Sequence, residues 1–159
     1  MSQATPIREA KIKPSEVRAR VLDEHVQIRA MLSELEVIAQ RALDGAADDG
    51  ALLRAKAIEL YGKLDAHMSL EEAFLYPAIC DADAWGQVRG DRMKQEHARQ
   101  REVFSQLTDL QSRVDTVALI FVVRALAADL REDMCREERE LLNPELLRDD
   151  VISIAQNSG

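Results

Sequence analysis

All three histidines of this chain, His25, His67 and His97, fall on stripes of apolar residues at helical spacing, and so do Glu71, Asp133 and Glu137. Residues four apart share one helix face, so His67 with Glu71, and Asp133 with Glu137, each offer two ligand atoms to a single point. Imidazole and carboxylate together suit iron, manganese or zinc. A buried carboxylate without a partner is costly, and two Glu and one Asp facing one another also repel, so a positive charge is expected among them. Bundle cores that hold two metals do so with His and carboxylate ligands from facing helices. One histidine on an apolar face is more often a hydrogen-bonded core residue than a ligand; the joint placement of six groups is what points to a metal.

Four stretches with apolar residues at helical spacing must position these groups. The first covers Pro14 to Leu43, with Leu22, Ile28, Leu32, Leu35 and Ala39 on one face; Pro14 and Ser15 suit a helix start and the Asp44–Gly50 run a solvated turn. The second covers Ala51 to Tyr76 and is expected to stop at Pro77, leaving Ala78 to Gly90 as loop or short helix. The third covers Asp91 to Arg113, and the fourth runs from Thr116 to Leu142, where Asn143 and Pro144 end it. Short joints between long amphipathic helices favour antiparallel neighbours, so an all-α, up-down-up-down four-helix bundle is expected. His25 lies about as far before the first joint as His67 lies after it, and His97 and Asp133 flank the joint at Val114–Asp115 in the same way. All six candidate ligands are thereby placed in one layer.

An internal repeat supports this layout. Leu60, Leu64, His67, Glu71 and Leu75 recur as Leu126, Leu130, Asp133, Glu137 and Leu141 with the same steps, and Glu24-His25-x-x-x-Arg29 recurs as Glu96-His97-x-x-x-Arg101. The chain thus reads as two helical hairpins of one design. Arg29 and Arg101 are expected to pair with Glu24, Glu96 or the core carboxylates, Glu72 and Glu138 to sit on solvated faces, and Met31, Met68, Met93 and Met134 to pack. Cys135 is two residues from Asp133 and so points away from its face.

At 159 residues the chain fits one domain: an arm over 1–13, a bundle over 14–146 and a tail over 147–159 that carries Val151, Ile152 and Ile154. A formal net charge of −8, with no basic stripe bearing aromatics, argues against nucleic acid as a partner. No apolar run reaches membrane-spanning length or forms a signal sequence, and a cytoplasmic location is expected. Two cysteines without a C-x-x-C, Cys80 and Cys135, supply neither a disulfide framework nor a thiolate metal site.

The segments LDEHVQIRAML, LDAHMSLEEAFLYP, EHARQREVF and LREDMCREERELLNP resemble the four helices of the hemerythrin-like HHE cation-binding family over residues 14–146, and H-M-x-x-E-E-x-x-L-x-P is the most specific of them. The resemblance implies a non-haem centre of two iron ions, with Glu71 and Glu137 bridging, His25 and His67 on one iron, and His97 on the other. The family pattern has a histidine where this chain has Asp133, and oxygen-carrying members have another where it has Arg101. Carboxylate in place of imidazole favours ferric iron and leaves coordination positions open, which argues against reversible O2 carriage. The implied function is a protein that senses or responds to O2, peroxide, nitric oxide or iron, with a protein partner or homodimer carrying the response. A small di-iron oxidase or peroxide-decomposing enzyme is the alternative, and a metal-free regulatory bundle the second alternative.

Overall fold

The computed structural model describes residues 12–45, 49–111 and 113–150. Among them every regular element is helical: α1 (Pro14–Leu43), α2 (Asp49–Leu70), a π-helical turn (Glu71–Leu75), α3 (Tyr76–Cys80), α4 (Gly86–Gln111) and α5 (Thr116–Glu140). Most of the N-terminal arm, and the tail's Val151, Ile152 and Ile154, lie outside the described residues. None of the described helices is long and apolar enough to cross a membrane.

Helix starts follow local chemistry. Pro14 occupies the first turn of α1, where its missing N–H costs nothing, and the Glu16 carboxylate accepts from the Lys13 N–H at 3.2 Å. Asp115 caps α5 by accepting from the Ala118 N–H at 2.8 Å. Pro77 does not stop the second stretch as its sequence suggests, because the helix widens just ahead of it. The Tyr76 N–H reaches five residues back to the Glu71 carbonyl, and the chain enters α3 with Pro77 in its first turn. α4 accordingly begins at Gly86, five residues before the expected Asp91, and the loop shrinks to Asp81–Trp85.

Cross-helix pairs give the directions. Along α1 and α5, Arg29 meets Glu138, Glu36 meets Arg131 and Gln40 meets Arg124, so one number rises as the other falls. The same reversal holds for α1 with α2, through Glu24–His67 and Glu34–Lys56, and for α2 and its π turn with α4, through Asp65–Arg101 and Glu72–His97. Gln100–Asp133 and Glu96–Arg136 repeat it for α4 with α5. The interior divides into two apolar clusters, one of Ile28, Leu32, Leu35, Leu60, Leu64, Leu119, Ile120 and their neighbours, the other of Val17, Val21, Leu75, Ile79, Leu142 and Leu147. Met68 and Met134 pack in the first and Met93 in the second.

Leu35 is 2% exposed in the larger cluster. Leu35→Ala is expected to cost about 2–5 kcal/mol by lost transfer energy and the cavity left behind. Urea unfolding checks this, and a loss under about 0.5 kcal/mol, the size of an exposed substitution, would contradict the placement.

A candidate metal centre between the helices

Polar groups lie deep in the bundle beside both clusters. His25, His67, Glu71 and His97 are each at most 5% exposed. α1 brings His25, the last turn of α2 brings His67, the π turn brings Glu71, α4 brings His97 and α5 brings Glu137. The π turn is a local device with a consequence here: an extra residue per turn lets both Glu71 and its neighbour Glu72 face imidazoles. α5 repeats the feature, since the Leu142 N–H also bonds five residues back to the Glu137 carbonyl, at 3.0 Å.

One ligand atom from each of His25, His67, Glu71 and Glu137 falls within 4.8 Å of the others. His25 Nε2 is 3.4 Å from Glu137 Oε2, and His67 Nε2 is 3.4 Å from Glu71 Oε1. The other oxygen of Glu71 is 3.2 Å from His97 Nε2, so this single carboxylate stands between the imidazoles of α2 and α4. The His25 and His67 rings meet edge to face with centroids 5.0 Å apart.

The outward nitrogens are held just as definitely. His25 Nδ1 bonds Glu138 at 2.8 Å, His67 Nδ1 bonds Glu24 at 2.9 Å and His97 Nδ1 bonds Glu72 at 3.0 Å. Each of these carboxylates is anchored by a cation: Arg29 on Glu138 at 2.7 Å, Lys63 on Glu24 at 3.3 Å and Arg101 on Glu72 at 2.6 Å. Glu72 and Glu138 therefore do not serve merely as solvated-face residues. They donate no proton of their own when ionised, so each Nδ1 must be the N–H, which leaves the inward Nε2 with its lone pair. Their sequence signal was available, since each directly follows a candidate ligand and has an arginine one turn from a histidine to pair with.

That tautomer decides the chemistry of the interior. Three imidazole lone pairs face carboxylate oxygens, and acceptor facing acceptor makes no hydrogen bond. His25 Nε2 and Glu71 Oε1 are in fact buried without any hydrogen-bond partner. Such a group must take up a cation, either a metal ion or protons. The proton affinities agree. Burial pushes the Glu71 carboxyl up, and the nearby Glu137 charge adds to the rise. Burial alone would lower His25 and His97, but the carboxylates around them outweigh it and raise both above the ordinary imidazole range. Glu24, Glu72 and Glu138 are held low despite their partial burial, by their imidazole and cationic partners.

Asp133 stands apart from this group. Its Oδ1 accepts from Arg136 at 2.6 Å and its Oδ2 from Gln100 at 3.1 Å, and its side chain is 32% exposed. Partial burial pushes its carboxyl up. A cavity of about 110 Å3 reaches from His67, Glu71, His97 and Glu137 past Asp133, Gln100 and Arg136 to exposed Arg92 and Glu140, so the centre has one side open between α4 and α5. Cys135 is exposed, with its thiol 3.8 Å from Arg29 and not among the inward ligands.

A helical bundle with a buried His and Glu group of this kind defines a metal-binding protein class. The chain belongs to the hemerythrin HHE cation binding domain family, whose model matches residues 17–143. No curated protein and no solved structure matches it.

Proposed function

We propose that the chain is a hemerythrin-like protein whose centre holds two non-haem iron ions, with His25, His67, Glu71, His97, Asp133 and Glu137 as ligands and Glu71 and Glu137 as bridges. The observation that carries this reading is the pair of buried, unpartnered atoms, His25 Nε2 and Glu71 Oε1, in a group whose outward nitrogens are all tied to carboxylates. Nitrogen and oxygen donors without thiolate suit iron. Bound iron would supply coordination and electron exchange for O2, peroxide or nitric oxide.

The chain's own residues do the rest. Glu138, Glu24 and Glu72 fix the imidazole tautomers and rings, Arg29, Lys63 and Arg101 fix those carboxylates, and Ile28, Leu64, Met68, Leu130 and Met134 shield the inner wall of the cavity from bulk water. The function that fits is sensing or responding to a small oxidant, a diatomic gas or iron supply, with the signal passed by contact to a protein partner or a second copy. The cavity between α4 and α5 favours a second reading, a di-iron oxidase or peroxide-decomposing enzyme, because it gives a small molecule a route to the centre.

Protein expressed with ample iron and purified without chelator is expected to contain about two iron atoms per chain. Elemental analysis with an absorption spectrum checks this. Zinc alone, or under about a tenth of an equivalent of any metal, would sink the di-iron reading in favour of a metal-free bundle. Catalysed loss of added peroxide, absent after iron is removed, would select the enzyme over the sensor.

A further inference from the structure

The internal repeat is obeyed at every position of the centre except one. Glu24 on α1 holds His67 Nδ1 at 2.9 Å, which turns Nε2 inward. The repeat pairs Glu96 with Asp133 in the second hairpin, and two ionised carboxylates, both acceptors only, cannot bond each other as Glu24 and His67 do. Arg136 stands between them instead: its Nη2 is 2.6 Å from Asp133 and 3.3 Å from Glu96. The repeat places Leu70, a buried apolar residue, at the position of Arg136, so the first hairpin has no such bridge. Gln100 takes the other oxygen of Asp133. All three residues, Asp133, Arg136 and Gln100, line the cavity that opens onto His97 and Glu71.

We propose that the Arg136 bridge between Asp133 and Glu96 is a latch on the second metal position. The first ion enters a finished set, His25, His67, Glu71 and Glu137, whose ligand atoms already lie within 4.8 Å of one another. The second finds His97, the outer oxygen of Glu71 and the bridging Glu137, and gains Asp133 only when that carboxylate leaves Arg136 and Gln100 and turns into the cavity. Half-exposed ion pairs are weak, so the latch opens reversibly. The two positions then fill in sequence, and the second fills and empties at metal levels that leave the first occupied. This rests on the metal-centre reading above.

The test is a calorimetric titration of the metal-free full chain with Co2+, read in parallel by visible absorption. The wild type is expected to show two steps, the second weaker by at least about tenfold, the scale on which such neighbouring partners tune metal affinity. Arg136→Met is expected to tighten the second step by about tenfold and leave the first unchanged. Asp133→Asn should erase the second step alone. Gln100→Leu removes the other anchor of Asp133 and should tighten the second step in the same direction, which keeps the proposal testable if Arg136→Met does not fold. Two equal steps in the wild type, or a second step unmoved by both loosening variants, would overturn the latch while leaving the metal centre standing. No Co2+ binding in any of the proteins would overturn the centre itself and the latch with it.

Discussion

Glu71→Ala is expected to abolish binding of both ions together, taking the metal content from about two per chain to near none. The reason is geometric. One oxygen of Glu71 lies 3.4 Å from His67 Nε2 and the other 3.2 Å from His97 Nε2, so the carboxylate belongs to both halves of the centre. No neighbour can replace it, because Glu72 is already committed to His97 Nδ1 and Arg101. Truncation would also leave the imidazoles of His25, His67 and His97 gathered around a void with no anion among them except Glu137. Metal analysis by emission spectroscopy reads the outcome. A variant that keeps one full equivalent would show that the first position is complete without Glu71, and one that keeps two would remove Glu71 from the centre. The effect on the metal-free protein has the opposite sign. Glu71 Oε1 is buried without a hydrogen-bond partner, and leaving such a group unsatisfied costs about 1–3 kcal/mol. The closer mimic Glu71→Gln is therefore expected to melt higher than wild type when both are stripped of metal near neutral pH, and lower when both are offered iron.

The helices were legible because long stretches of this chain keep apolar residues at a spacing that only a helix can bury, and because Pro14, Asp115 and the Asn143–Pro144 pair punctuate them. What the spacing could not reveal is the π turn. An i to i+5 bond depends on how Tyr76 and Pro77 are accommodated against α4, and Pro77 read by itself signals a stop. The error moved the start of α4 by five residues without disturbing the site, since His97 lies well inside it. The inward groups His25, His67, Glu71 and His97 were visible as polar residues on apolar stripes. Asp133 occupies such a stripe too, yet it meets Arg136 and Gln100, because a short side chain three residues from an arginine finds a nearer partner than the middle of the bundle. Glu72 and Glu138 read as solvated-face residues for a related reason: periodicity assigns a residue to a face, and these lie at its border, where an imidazole edge and an arginine compete with water.

Metal loading is expected to reverse the pH dependence of stability. In the stripped protein, Glu71 has a folded pKa above its ordinary value of 4.5, so its ionisation opposes folding: the penalty is absent below that value and complete once pH has risen through the folded pKa. His25 and His97 have folded values above 6.5, so their contribution is fully present below 6.5 and is lost as pH rises through the folded values. All three favour mild acid. Glu24, Glu72 and Glu138 set the lower limit. Their folded values lie below 4.5, so their contribution is present above that and is lost as pH falls through the folded values. The stripped chain should thus be more stable near about pH 6 than near about pH 8, and fall off below about pH 4. In the loaded chain the same imidazoles and carboxylates must be deprotonated to bind the ions, so protons compete and stability should rise from about pH 6 to about pH 8. Free metal at about a thousand times its dissociation constant adds about 4 kcal/mol per ion, as much as a large core side chain contributes. Thermal melts of the stripped and loaded protein at the two pH values give the comparison. Parallel slopes would mean that His25, Glu71 and His97 do not take up protons in place of a metal, and the acceptor-against-acceptor arrangement would have lost its explanation.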